Sequence, residues 1–274
     1  MCRHVGYLGP PVGLDELLLR PSHGLLEQTW APNDMRLGGT INVDGFGVGW
    51  YRADRAEPSR YRAVGPMWAD ENFAALAPEV SAETLVGAIR SATRSTSAER
   101  TACAPFRAGR WLFSHNGSVP GWPDALAELA EKLDPVRLLA SEAPVDSATV
   151  WALLSHRLFE GQSPADAVRD TLVEVVRAVP DARMNMLLSD GNLLIATTWT
   201  HSLSVCRTDR AVVIASEPFE LPAVARDQRD GSVREESSWH AVPDGHLVVA
   251  DREETSLTPL PDIELRDSPT PESR

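Results

Sequence analysis

The first chemistry in the chain sits at its second residue. Met1 is followed by Cys2, and aminopeptidases remove an initiator methionine when the next side chain is as small as cysteine. Trimmed in that way, the chain would present a thiol and a free α-amine on one residue. An α-amine titrates close to neutrality, so a useful fraction is unprotonated and able to take the thiol proton, directly or through a water. Cys2 then reads as a nucleophile carrying its own general base. Any residue can follow an initiator methionine by chance, so this reading gains weight only from its company.

That company falls into three groups. Ser114-His115-Asn116-Gly117 closes the apolar run Trp111-Leu112-Phe113. Asn116 offers a side-chain amide and Gly117 an N–H beside a position without Cβ. Both suit an oxyanion hole, where one donor is worth about 10²–10³ in rate. Asn-Gly is also among the commonest turn signals, and spacing alone favours a turn. Arg90 ends the run Leu85–Ile89. A guanidinium at a strand terminus suits bidentate capture of a carboxylate, and Thr93 adds a hydroxyl or N–H; a solvated surface arginine is the commoner case. Asp146 opens a helical pattern, where it either binds an ammonium or caps the helix.

Two other chemistries are excluded. The glycines between Gly38 and Gly49 do not give GxGxxG between a strand and a helix, so no dinucleotide loop is read there. The seven histidines are scattered. His4 and His115 fall near the candidate groups, and neither forms a metal-type cluster with acids.

The elements that must position these groups follow from periodicity. Arg3–Leu8 reads as a strand delivering Cys2 to its edge. Leu14–Arg20 and Gly24–Trp30 read as short helical turns, and Asp70–Leu76 as a helix. Phe46–Tyr51 alternates glycine with large residues, which marks a strand closely approached by another backbone. Tyr61–Val64, Leu85–Ile89 and Trp111–Ser114 are further strands. Ser147–Phe159 places Val150, Leu153, Leu154 and Leu158 on one helical stripe, with Asp146 as its N-cap. Ser163-Pro164 opens a second helix running to about Val179. Hairpins then follow: Met184–Ser189 with Leu193–Thr198, and Ser202–Cys206 with Ala211–Ala215, before a strand at His246–Asp251. Strands, two adjacent helices and strands again suit two antiparallel sheets between helix layers, an α+β architecture. Residues 2–255 are expected to form one domain and 256–274, rich in Pro, Ser and acid, a flexible tail.

Composition narrows the function classes. Hydrophobic residues make up 43%, enough for a substantial core, and the formal charge is −13. Such an acidic chain lacks the basic footprint of nucleic-acid binding. No apolar run approaches a membrane span, and the first residues lack the basic start and apolar core expected of a signal peptide. The expected setting is the cytoplasm. Cys103 and Cys206, far apart in the sequence, read as small core residues of a reduced protein.

In order, Cys2, the Asn42–Tyr51 run NVDGFGVGWY, IRSAT at Ile89–Thr93, FSHNG at Phe113–Gly117 and VDS at Val145–Ser147 resemble the class II glutamine amidotransferases. The resemblance covers roughly residues 2–250. It implies the four-layer αββα sandwich of the N-terminal-nucleophile hydrolases. It further implies Cys2 as nucleophile with its own amine as base, and Asn116 with Gly117 as the oxyanion hole. Arg90 with Thr93 would hold the α-carboxylate of a glutamyl group and Asp146 its α-ammonium. Asn42 or Asp44 would help orient the N-terminus. The chain departs from the family pattern at Ala102 and Ala104, where Asn-x-His-Pro-Phe is common, and at Ala148, where Asp-Ser-Glu is common.

No synthetase part follows in the sequence, so a stand-alone activity or a glutaminase subunit lending ammonia to a synthetase is expected. Among stand-alone members the likeness is greatest to hydrolases of γ-glutamyl hercynylcysteine S-oxide in ergothioneine biosynthesis. Pro21–Leu25, Gln28–Pro32, the Asp44–Tyr51 run, Pro66–Asp70 and Ala104–Phe106 through Gly121-Trp122 carry it. That likeness implies a linear γ-glutamyl amide cleaved to glutamate and hercynylcysteine S-oxide through a Cys2 thioester. It calls for no metal or organic cofactor, no nucleic acid and no membrane, and it leaves homo-oligomerisation open. A catalytically silent glutamyl sensor is a rival of another class. The trimethylammonium of the leaving portion suits aromatic faces, and Trp30, Trp50, Trp68 and Trp122 lie in or near family motifs.

Overall fold

The computed structural model describes residues 2–35, 41–92, 99–229, 232–233 and 238–263. Its strands are, in chain order, Arg3–Gly13 (β1), Gly45–Arg52 (β2), Arg55–Ala63 (β3), Ser81–Arg90 (β4), Phe106–Ala108 (β5), Trp111–Ser118 (β6), Arg183–Ser189 (β7), Leu194–Thr198 (β8), Ser204–Arg207 (β9), Val212–Ala215 (β10), Gln228–Arg229 (β11), Ser232–Val233 (β12), Trp239–Ala241 (β13), His246–Ala250 (β14) and Thr255–Pro259 (β15). Its helices are Leu14–Leu18 (α1), Glu71–Leu76 (α2), Ala127–Ala130 (α3), Pro135–Leu139 (α4), Asp146–Phe159 (α5) and Pro164–Ala178 (α6). Two antiparallel sheets dominate, one in the order β13-β9-β10-β1-β4-β2-β3 and one in the order β15-β14-β8-β7-β6-β5.

Three apolar clusters lie between the layers, and strand periodicity explains them. Side chains alternate across a strand with period two. On β1, β4 and β10, Val5, Tyr7, Leu85, Ile89, Val213 and Ala215 join Leu14, Leu17, Leu18 and Phe73 of the outer α1 and α2 layer. Their neighbours Leu8, Val86, Val212 and Ile214 face the other way and meet Leu112, Leu187, Leu194 and Ala196 of the second sheet. Phe113, Met184, Met186, Leu188 and Ile195 face outward onto α5 and α6. Helix, sheet, sheet and helix thus stack in the expected α+β, four-layer αββα order. Both faces of each central strand are buried, so these strands read as nearly continuous apolar runs.

The helix signals held closely. Asp70 caps α2 through Phe73 N, and Ser163 caps α6 through Asp166 N, with Pro164 at its first position. The stripe Val150, Leu153, Leu154 and Leu158 is buried. Three expectations need correction. Asn116-Gly117 is no turn: both lie inside β6, opposite Asn185 and Met184 of β7. The cap residue of α5 is Val145, and Asp146 is the first helical residue. The flexible tail does not begin at 256, because Thr255–Pro259 pairs with β14 and Leu260 is buried. Proline and serine there mark an edge strand, a position that tolerates a missing N–H donor. Among the described residues no helix is long and apolar enough to cross a membrane.

Candidate active site

Strand register brings the candidate groups to one end of the sandwich. Arg3 pairs with Ile89 and Gly45 with Arg90, so β1 starts where β4 ends and β2 begins. The alternation that sends Val86 and Leu112 into the space between the sheets sends Ala88, Arg90, Ser114 and Asn116 there too. At that end Cys2, Phe46, Arg90, Ser114, His115 and Ser147 line a cavity of about 30 Å³. Ala102 and Ala104, two of the departures from the family pattern, are also on its wall. Ala148, the third, is buried among the apolar residues of the α5 layer. The Cys2 thiol points at the Ser91 carbonyl, 3.8 Å away.

The chain around Arg90 is pinned by Asp44. The Asp44 N–H donates to the Arg90 carbonyl at 3.0 Å, and the Ala92 N–H donates to the Asp44 carboxylate at 2.6 Å. Asn42 holds residues 28 and 29 through both its backbone and its side-chain amide. Asp44 thus organises the backbone beside the cavity-lining Arg90, while Asn42 fastens the 28–29 turn ahead of β2. Thr93 lies outside the described residues.

On the second sheet, glycine at 117 is required by close approach. A Cβ there would stand 1.8 Å from the Arg183 carbonyl oxygen and 2.3 Å from His115 Nε2. That His115 nitrogen lies 2.8 Å from the same carbonyl, which can only accept, so Nε2 carries the proton. Burial pushes the His115 pKa down, with Asp146 opposing the shift. The ring is therefore neutral, and its Nδ1 accepts from the Ser147 hydroxyl at 2.9 Å. Asp146 stands behind this pair. Its carboxylate accepts from Val119 N at 2.9 Å and Ser147 N at 2.8 Å, fastening the segment after β6 to the start of α5.

Sequence reasoning missed the device that anchors Cys2. Arg3 is about 1% exposed, and its guanidinium donates to the Glu217 carboxylate at 2.8 Å, to the Cys2 carbonyl at 3.0 Å and to the Asp34 carbonyl. Glu217 also accepts from the Asn33 and Asp34 amides and lies 2.7 Å from His23 Nε2. Burial alone would raise its pKa; the Asn33 amide, Arg3 and His23 outweigh that and hold it below the ordinary carboxylate range. The signal for Arg3 was its parity with Val5 and Tyr7, which predicts a buried face. Nothing in the sequence pairs it with an acid 214 positions away.

His4, next to Arg3, is buried and lies 3.3 Å from Ser114 Oγ. Burial, with His115, His201 and Arg3 nearby, lowers its pKa to about 3. His201 is lowered to about 3 as well, first by burial and then by Arg183. The two rings are neutral and structural at ordinary pH. The other cysteines, Cys103 and Cys206, are buried.

The arrangement sets a thiol and a guanidinium on one cavity, between two sheets whose second member carries an Asn-Gly pair on a strand. A sequence profile of the class II glutamine amidotransferases matches residues 34–272. The chain is 37% identical over 266 residues to a Mycobacterium tuberculosis protein named gamma-glutamyl-hercynylcysteine sulfoxide hydrolase, covering 95% of this chain and 97% of that one. It is likewise 37% identical to the protein of that name from Mycolicibacterium smegmatis, over 95% of this chain and 100% of the relative. Among solved structures, a class-II glutamine aminotransferase domain protein of Silicibacter pomeroyi superposes with a TM-score of 0.65 at 24% identity, covering 95% of this chain and all of that one. The Bacillus subtilis glutamine phosphoribosylpyrophosphate amidotransferase gives 0.61 at 14% identity, over 95% of this chain and 49% of its own; both show the fold. With the αββα layers and the ordered motifs in agreement, the chain belongs to the class II glutamine amidotransferases.

Proposed function

We propose that this chain hydrolyses a γ-glutamyl amide, and that its substrate is γ-glutamyl hercynylcysteine S-oxide. The observation that carries the reading is the cavity shared by Cys2 and Arg90. A nucleophile and a carboxylate ligand on one wall are what a glutamyl side-chain amide needs. The relatives named for this hydrolysis support the substrate choice over nearly the whole chain.

In the proposed mechanism Met1 has been removed and the Cys2 amine takes the thiol proton. Sγ attacks the γ-carbonyl carbon, forming a C–S bond while the carbonyl oxygen becomes negative. The Asn116 side-chain amide and the Gly117 N–H stabilise that oxygen. Arg90 with Thr93 binds the α-carboxylate, and the Asp146 charge holds the α-ammonium. As the intermediate collapses, the C–N bond breaks and the protonated amine of Cys2 passes its proton to the leaving nitrogen. Water, deprotonated by the same amine, then cleaves the thioester to glutamate and the free thiol. The setting proposed for it is the cytoplasm, where a free thiol stays reduced.

The test uses untagged protein whose intact mass shows whether Met1 is gone, assayed on γ-glutamyl hercynylcysteine S-oxide and on glutamine. Turnover of the S-oxide by the trimmed form, and none by a form retaining Met1, is expected. Full activity with Met1 in place would overturn the mechanism. Turnover of glutamine alone, rising when a synthetase is added, would replace the substrate with the ammonia-supplying reading.

A further inference from the structure

Two indole rings stand half out of water on segments that lead from the site. Trp30 and Trp68 are 48% and 49% exposed, and they meet edge to face with ring centroids 5.4 Å apart and an interplanar angle of 79°. Large aromatic rings gain most from full burial, so an open pair asks for a ligand. The other two tryptophans near family motifs do not share this state. Trp50 packs against the outer-layer core, and the Trp122 indole donates to Thr149 Oγ1 at 2.9 Å beside the α5 layer. Arginine caps Trp111 and Phe159, whereas among the described residues none is stacked on Trp30 or Trp68. Met35, Ile41 and Val64 are exposed as well.

The pair is tied to the nucleophile through covalent and hydrogen-bonded steps. One guanidinium, that of Arg3, holds the carbonyls of both Cys2 and Asp34. Trp30 is four residues before Asp34, a span of at most about 14 Å. Thr29 O accepts from Asn42 N, just ahead of the strand that clasps Arg90. Trp68 follows β3, whose last residue, Ala63, lies opposite the cavity-lining Phe46. Asp70, two residues beyond Trp68, adds a carboxylate oriented by the Tyr61 hydroxyl and Phe73 N.

A quaternary ammonium has no N–H to donate, so carboxylates and carbonyls cannot grip it directionally. Aromatic faces can, because the negative face of the ring attracts the cation without competing for a proton. We propose that Trp30 and Trp68 form the subsite for a quaternary ammonium. Building on the function proposed above, that ligand is the trimethylammonium end of the leaving portion, and the pair sets the preference for betaine substrates. The glutamyl half is read by Arg90 inside the cavity, and the betaine half is read at its rim.

The experiment compares two substrates that differ in this group alone: γ-glutamyl hercynylcysteine S-oxide and the same conjugate built on unmethylated histidine. The ratio of their kcat/KM values is measured for the trimmed wild type, W30A, W68A, the double variant and W68F. The double variant is expected to lower the ratio about tenfold, chiefly through KM, and W68F to keep most of it. An unchanged ratio overturns the subsite, as does an equal loss on both substrates, which would mark the rings as structural. Tetramethylammonium is also titrated against the tryptophan fluorescence of the wild type and the double variant. A saturable change in the wild type, lost in the double variant, supports the subsite; no change in either overturns it. This second arm decides the cation site even if the wild type cleaves neither conjugate, a result that would sink the proposed function alone.

Discussion

The two ends of the sandwich are built on opposite terms. At the end away from Cys2 lies the larger cleft, about 750 Å³, bordered by Tyr51, Arg52, Arg110, Asp190 and Arg252. Its charges are spent on one another: Arg110 meets Asp190 at 2.6 Å, Arg252 meets Glu83 at 2.6 Å, and Arg52 meets Asp54 at 2.7 Å. Tyr51 closes the space between the sheets by donating to the carbonyls of Arg110 and Ser189. At the Cys2 end the cavity is far smaller, yet His4 Nε2, Asn42 Oδ1, Asn116 Oδ1 and His201 Nδ1 are buried without a hydrogen-bond partner among the described residues. Leaving such a group unsatisfied costs about 1–3 kcal/mol. The larger cleft is thus electrostatically settled, whereas the smaller cavity beside Cys2 is bordered by polar groups left open for a ligand on the proposed function.

Substitutions can break this contrast, and Cys2→Ala has the largest expected effect. The protein should fold and bind substrate while kcat falls about 10⁴-fold or more, read by steady-state assay beside a thermal melt. Turnover within tenfold of wild type would move the chemistry away from this end.

Acid should unfold the molecule from the same end. His4 and His201 stay neutral in the fold down to about pH 3, and His115 is also lowered. In the unfolded chain each takes a proton near pH 6.5. Below that pH the unfolded state binds more protons, so stability falls with acidification, by about 1.4 kcal/mol per pH unit for each of His4 and His201, with His115 adding in the same direction. Glu217 acts in the same direction lower down: its contribution is complete above about pH 4.5 and is lost as the pH falls through its depressed pKa. Urea midpoints at pH 7 and pH 5 should differ accordingly. Equal midpoints would mean that these rings are solvated.

Glu217→Gln should cost about 3–5 kcal/mol, because it leaves the Arg3 charge buried without its counter-ion. Turnover should drop with it, since the Cys2 carbonyl hangs on the same guanidinium. Asn116→Ala should lower kcat about 10²–10³-fold with little change in KM. Gly117→Ala should destabilise by about 1–3 kcal/mol, because its Cβ would collide with the Arg183 carbonyl and spread β6 from β7. At the far end, Arg110→Ala and Arg252→Ala should each cost at most about 1 kcal/mol and leave turnover within twofold. A marked loss of activity from either would show that the larger cleft takes part.

Much of this was legible in the chain before folding. Helices α5 and α6, the serine and proline that open α6, and the glycine-spaced β2 followed from local pattern, whereas the four-layer αββα order was implied by the family resemblance. The close approach read from Phe46–Tyr51 is real: a Cβ on Gly47 would stand 2.4 Å from the Ala104 carbonyl. Local pattern failed where the deciding partner was remote. Asn116-Gly117 has turn chemistry, but β7 pairs with it and overrides propensity. Phe106–Ala108 and Trp239–Ala241 are three-residue strands, too short to show a period. Of the candidate residues, Cys2 and Arg90 meet at one cavity, whereas Asp146, read as an ammonium ligand or a cap, is not the cap of α5 but joins two segments.

One guanidinium grips two carbonyls, and that gives this enzyme an unusual dependency. Arg3 fastens the strand bearing the sulfur and the loop leading from Trp30 to a common pin. On the proposed roles of Cys2 and Trp30, selectivity and reactivity, separable in most hydrolases, would share a mechanical mount. Remodelling the loop to accept a different leaving portion would tug on the aim of the thiol. Swapping specificity by exchanging the 30–34 segment between relatives should therefore succeed only when the arginine and its buried glutamate travel together.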